Sequence, residues 1–268
     1  QISLEVPERP RIFPGAFCHY LPVLIIEGLI AGVLIGAVLG FIGAGGAMLS
    51  VPILIYGFDF SASHATTAAL AVVLLAALSS VIPKARQGQV LYRDAFVIWG
   101  IGSITNLGFS SIVDQIPDSV ITTGFAGVLL LAGASMLRPP KLDEQKRMPL
   151  PVLILISLFI GTITGLFGIG GGFLAIPVLV LYFGTPQIVA AGTSLLIIAA
   201  NSLTAFIGHR SQWGDVQWHI PILMGASAIV IAQVASRLSH KTSPVVLRKA
   251  FAYLLFAISI FTLIQTYL

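Results

Sequence analysis

Two glycine clusters carry the strongest chemical signal in the chain: Gly43-Ala-Gly45-Gly46 and Gly168-Ile-Gly170-Gly171-Gly172. Adjacent glycines allow φ > 0, so a helix can stop there and restart within a few residues. A restarting helix offers unpaired N–H groups and a partial positive charge, which together suit an oxyanion. Two such turns meeting near the middle of a bilayer would give a dianion several donors without a buried Lys. Close helix packing is the competing use of these glycines, and it is the one that fits Gly36, Gly40, Gly161 and Gly165. Thr193, Ser194 and Asn201 follow the second cluster. Ser194 and Asn201 are seven apart and return to one helix face. They could line a cavity with hydroxyl and amide donors, or bond other helices and their own backbone. Asn106 lies mid-segment in the first half and is a further substrate-binding candidate. Glu27 and His64 are the candidates for proton coupling, the first as a carboxylate in an apolar run, the second as an imidazole. A helix-start position competes for both, since Glu27 lies five residues after Pro22 and His64 opens an apolar run.

The elements that must position these residues are membrane helices. Of 268 residues only 24 are Asp, Glu, Lys or Arg, and 57% are hydrophobic; the mean hydropathy is +1.00. A soluble domain carries about 25% charged residues, so this chain could not cover a water-facing globule. Its continuous apolar runs are also unlike the alternating strands of about ten residues in an outer-membrane barrel. The single Cys18 excludes an internal disulfide. A net charge of +4 sits in short loops, where membrane orientation explains it, and no nucleic-acid partner is expected. The fold class is therefore all-α and polytopic.

Residues 1–20 are Pro-rich, lack the apolar core of a signal peptide, and are expected to form an extramembrane arm. Apolar segments are predicted at 21–43, 46–58, 65–82, 95–112 and 119–137. After a polar loop at 138–149, others follow at 150–168, 171–184, 187–208, 217–236 and 247–267. The first transmembrane unit is thus 21–137 and the second 150–268. Segments 46–58 and 171–184 are too short for a span of about 20 residues, and each follows a glycine cluster. Residues 36–54 and 161–179 match at eight of nineteen positions, five of them glycine, at an offset of 125. The same offset pairs Gln87 with Gln212 and 65–70 with 190–195. Basic residues crowd loops 83–94, 138–149 and 237–249, whereas 113–118 has none and Arg210 in 209–216 is balanced by Asp215. The positive-inside rule puts the first three in the cytoplasm and the other two outside. Eight to ten segments in two inverted halves are expected, the construction of many secondary transporters. Arg86 and Arg210 then sit at opposite mouths, placed to snorkel to headgroups or to attract anions. Trp99, Trp213 and Trp218 read as interfacial anchors.

The doubled G-x-x-x-G-x-x-G-x-G-G-x-x-x-x-x-P pattern, with Gly-Thr193-Ser194-Leu after its second copy, resembles the sulfite exporter TauE/SafE family of bacterial membrane permeases. So do the loops Lys84-Ala-Arg-Gln-Gly-Gln-Val and His209-Arg-Ser-Gln-Trp-Gly-Asp-Val. The likeness covers about residues 25–265. The first copy departs from it, with Ala68-Ala69 where the second has Thr193-Ser194. The resemblance implies a multi-pass inner-membrane protein that moves sulfite, an organosulfonate or another small sulfur-containing anion. A proton-coupled carboxylate permease is the alternative, and a membrane-embedded enzyme or assembly subunit a more distant one. The chain shows no HExxH, CxxC, GxSxG or Walker sequence, the signatures of metal, nucleophile and nucleotide sites. No metal, no cofactor and no catalytic residue are expected, and transport would run on a gradient or passively.

Overall fold

The computed structural model describes residues 17–44, 46–110, 118–137, 149–167, 172–239 and 241–267. Among them are ten α-helices and no strand. In chain order these are α1 (Phe17–Ile42), α2 (Gly46–Pro52), α3 (Ala62–Arg86), α4 (Tyr92–Ser110) and α5 (Asp118–Leu137), then α6 (Leu150–Phe167), α7 (Gly172–Phe183), α8 (Gln187–Gly208), α9 (His219–Ser239) and α10 (Pro244–Tyr267). A π-helical stretch, Ile53–Gly57, continues α2, and a 3₁₀ turn, Arg210–Gln212, follows α8. Five of the helices are long and apolar enough to cross a bilayer: Val23–Ile42, His64–Arg86, Gln187–Gly208, His219–Ser239 and Pro244–Tyr267. Across these and the other helices the outward faces are apolar, with Ile30, Ile104, Leu131 and Leu155 all more than 60% exposed, which suits lipid as solvent. The chain is a multi-pass membrane protein.

Local chemistry sets the helix ends. α1 stops at Gly43, whose φ of +83° and N–H bond to the Leu39 carbonyl (2.9 Å) make the left-handed C-cap that glycine adopts at no steric cost. α3 stops at Gln87-Gly88. There Gly88 has φ +69° and the bonds Gly88 N–H to Ala85 O and Gln89 N–H to Lys84 O complete a Schellman motif. α3 thus runs four residues past the predicted limit of 82. Pro83 and Lys84, expected in a loop, lie inside the helix. Lys84 is 1% exposed, and its Nζ donates to Ser239 Oγ at 2.9 Å. Lys84, expected in the loop, is instead a buried ammonium at one end of the bundle. The helix could extend because α9 supplies that partner at its own last residue, where the negative end of the helix dipole favours a cation. α1 likewise begins at Phe17, inside the segment expected to be an arm.

Packing is dominated by pairs that exchange helices between the two halves of the chain. α1 lies along α9 and runs parallel to it: Gly28 faces Ile220, Gly36 faces Ala228, and Gly40 faces Ala232 and Ala235. A Cβ on Gly36 would come within 2.5 Å of the Ala228 carbonyl oxygen. In lipid, where burial gives no hydrophobic drive, such backbone proximity is what holds helices together. α4 pairs with α6 in the same way, Gly161 touching Gly102 and Thr105 and Thr105 Oγ1 donating to the Leu158 carbonyl. α3 and α9 are clipped side by side. Ser79 Oγ donates to Ile229 O at 3.2 Å and Ser236 Oγ to Ser80 O at 2.8 Å. α5 and α10 run antiparallel, Thr123 meeting Tyr267 and Ser259 Oγ donating to Ala126 O.

α3 and α8 also run antiparallel, tied at both ends. At the start of α3, Thr67 Oγ1 donates to Gln212 Oε1 (2.8 Å) and contacts His209 Nδ1 (3.1 Å), both just past α8. Early in α8, Thr193 Oγ1 accepts from the Leu91 N–H (3.0 Å), just past α3.

Candidate functional site

α8 is the element on which the candidate residues converge. Its face Ser194–Ile198–Asn201 follows the i, i+4, i+7 spacing that stacks side chains along one side of a helix. α7 begins against this face. A Cβ on Gly172 would collide with Ile198 and lie 3.0 Å from the Ser194 carbonyl oxygen. Ser194 Oγ donates to the Gly172 carbonyl at 2.6 Å. From there α7 returns toward Thr185 and the start of α8. Its N-terminus is therefore directed toward the later half of α8, where Asn201 sits.

Asn201 lines a small cavity between α4, α6 and α8, together with Asn106, Ile98, Gly102, Ile160, Gly161 and Ile197. The space open to the centre of a water molecule is about 10 Å³, room for about one water. Asn106 and Asn201 each lie fourteen residues after the first residue of their helix, Tyr92 and Gln187. At ~1.5 Å per residue each amide sits about 21 Å along its own helix, and the start of α4 is held at Thr193, six residues into α8. Two amides line one cavity whose other lining residues are aliphatic or glycine, where α4 meets α6 and α8; an amide can both donate and accept hydrogen bonds.

The other candidates separate. Thr193, wholly buried, has its hydroxyl committed: it donates to Val189 O at 2.8 Å and accepts from Leu91 N–H. Gly192 beside it closely approaches the Gln89 carbonyl oxygen. Ser194 is joined to Gly172 rather than lining the Asn cavity. Gly43 packs against Ala191 of α8, and Gly46 packs back on Leu39 and Ile35 of α1. Both described turns therefore border α8. Gly45, Gly168, Gly170 and Gly171 lie outside the described residues. Glu27 is exposed on α1 at the level of the first turn of α9. His64 is part-exposed in the first turn of α3, its N–H capped by Ser61 Oγ at 3.4 Å. Neither joins the asparagines. Trp213 and Trp218 cluster on Phe206, one stacked at 4.6 Å and one edge-on at 6.1 Å, just past the end of α8.

The sequence offered no sign of three arrangements. The Thr67–Gln212 and Lys84–Ser239 contacts join residues 145 and 155 apart. A cleft of about 540 Å³ at the ends of α3 and α9 is lined by Ile82, Pro83, Arg86, Gln87, Gln233 and Arg237.

Five helices long and apolar enough to cross a bilayer define a multi-pass membrane protein, and the relatives it matches are membrane transporters. The family described as Sulfite exporter TauE/SafE matches residues 28–262, and the chain belongs to it. It is 27% identical over 242 residues to a probable membrane transporter protein of Xylella fastidiosa (strain 9a5c), covering 87% of this chain and 92% of that protein. It is 29% identical over 265 residues to one of Methanocaldococcus jannaschii, covering 92% and 97%, and 27% identical over 224 residues to YunE of Bacillus subtilis, covering 73% and 80%. Family membership implies a small substrate and a lipid bilayer as its surroundings.

Proposed function

We propose that the chain is a secondary transporter of the inner membrane that carries a small sulfur-containing oxyanion, sulfite or an organosulfonate, between two inverted halves. The family's description supports the cargo class. Inversion is supported by the pairing of helices at equivalent places in the two halves. α3 with α8 and α5 with α10 are both antiparallel, as a two-fold axis in the membrane plane requires, while α1–α9 and α6–α4 are the same pairing with halves exchanged. Each half then makes an odd number of crossings, with α2 and α7 as its short returning members.

One observation supports this reading of the cargo site: α7 begins against Ser194 and Ile198, on the α8 face that also carries Asn201, which lines a cavity with Asn106. Helix-terminal N–H groups bind anions through free donors and a partial positive charge. Two amide N–H₂ groups opposite them complete a neutral donor set for an S–O group. The cavity is closed to all but about one water, so the anion enters only when α4 and α6 shift against α8, the rocking by which broken-helix transporters alternate access. Counterparts of Ser194 and Asn201 in the first half are Ala69 and Ala76, both buried. The polar donors therefore belong to the second half, and the first supplies Asn106.

The test is uptake of labelled sulfite, sulfoacetate and acetate into proteoliposomes. Sulfur oxyanions should enter faster than acetate, and Asn106→Leu/Asn201→Leu should abolish uptake while the protein stays folded. Preferential acetate uptake, or a double variant as active as the parent, would overturn the proposal.

A further inference from the structure

The geometry points to a second oxyanion site, at the end of the bundle, in the cleft between the last turns of α3 and α9. The cleft has a volume of about 540 Å³ and holds two guanidinium groups, Arg86 and Arg237, with the amides of Gln87 and Gln233. The two arginines are 151 residues apart in sequence. They meet because α3 and α9 run parallel, clipped by Ser79 to Ile229, Ser236 to Ser80 and Lys84 to Ser239. Neither arginine has an ion-pair partner among the described residues, and both are exposed.

Two helix C-termini alone would repel an anion. Lys84 answers that: its buried ammonium sits between the two ends, bonded to the last residue of α9, and offsets the carbonyl charge there. No carboxylate among the described residues neutralises the guanidinium groups, and their planar donor forks match the oxygens of a tetrahedral or pyramidal oxyanion. Gln87 and Gln233 add neutral donors. The ligand class is a sulfate-, sulfonate- or phosphate-type group. Basic loops flank the cleft, so it opens on the face that charge bias assigns to the cytoplasm. There it could be met as a free anion or as the phosphate of an anionic lipid.

The site stands apart from the cargo reading, since it shares no residue with the Asn106–Asn201 cavity. Its test is binding to the purified full chain in detergent, by calorimetry, in two arms: sodium sulfate, and phosphatidylglycerol against phosphatidylcholine in mixed micelles. The expected result is binding in one arm that weakens by about tenfold or more in R86Q/R237Q, the loss that even one charge-assisted hydrogen bond predicts. R86K/R237K, which keeps charge without the fork, should fall between. Sulfate binding would name a free anion as ligand, and phosphatidylglycerol binding a headgroup. N106L/N201L should leave the cleft's binding intact, so failure of the cargo proposal reads separately. No binding in either arm, or binding that R86Q/R237Q leaves unchanged, would overturn the site. Because both arginines are exposed, R86Q/R237Q should retain the parent's unfolding midpoint in ligand-free detergent, which checks that it folds.

Discussion

Substituting Ala at two mid-helix glycines, Gly36 buried in α1 and Gly100 exposed in α4, should move stability in opposite directions. At Gly36 the added Cβ meets backbone only: Ala228 O at 2.5 Å, Cα at 2.9 Å and C at 3.1 Å. Against an ordinary contact of 3.4 Å the shortfall is 3.4 − 2.5 = 0.9 Å. α9 cannot retreat freely, because Ser79 and Ser236 tie it to α3 on its other side. Overpacking of this kind costs about 1–3 kcal/mol. At Gly100 nothing lies within 4 Å, so Ala should gain up to about 1 kcal/mol of helix propensity. The two variants should therefore differ by about 1–4 kcal/mol. Unfolding in mixed micelles by titration with denaturing detergent, followed by circular dichroism, reads the difference. Equal stabilities for Gly36→Ala and Gly100→Ala would refute the claim that glycine-mediated backbone contact sets the α1–α9 spacing.

Thr193→Val removes the acceptor of a part-buried Leu91 N–H and should lower stability by about 1–3 kcal/mol, with Thr193→Ser restoring most of it in the same unfolding titration. Lys84→Met keeps side-chain bulk and removes a buried charge, so stability should stay within about 1 kcal/mol of the parent. Ser239→Ala instead takes away the hydroxyl that the Lys84 ammonium is bonded to and should cost about 1.5–3 kcal/mol; a Lys84→Met loss larger than the Ser239→Ala loss would contradict that account. With Cys18 replaced by Ser, single cysteines at Gln87 and Gly214 should react with a membrane-impermeant maleimide from opposite sides of oriented vesicles. Labelling from one side would break the antiparallel placement of α3 and α8 across the bilayer.

Much of this architecture was readable because its causes are local. Unbroken apolar runs gave the helices, and among the described residues α1 ends at Ile42 and α7 begins at Gly172, beside the two glycine clusters. Under the proposed repeat, the same offset makes 62–86 and 187–208 counterparts. Helix ends were less legible where a partner far away in sequence decides them. Hydropathy ends at Ile82, yet α3 continues through Pro83 and buries Lys84, because Ser239 receives its ammonium and Gly88 closes the helix. Spacing put Ser194 and Asn201 on one face, but which neighbour each meets depends on where α7 and α4 dock. Ser194 therefore went to the Gly172 carbonyl, and Asn201 to a cavity shared with Asn106. The exchange of α4 and α9 between halves, which creates both the asparagine cavity and the arginine cleft, has no local signature at all.

The central claim is that an oxyanion binds where α7 begins, against Asn106 and Asn201. Thermal unfolding of R86Q/R237Q, which lacks the end cleft, measured against sulfite, sulfoacetate and acetate, tests it most directly. A ligand of the native state at 100 times its Kd adds about 2.7 kcal/mol. The account predicts a saturable rise in midpoint with a sulfur oxyanion, little with acetate, and none in the same background carrying Asn201→Leu. A rise that Asn201→Leu leaves intact, or one that acetate matches, would contradict it.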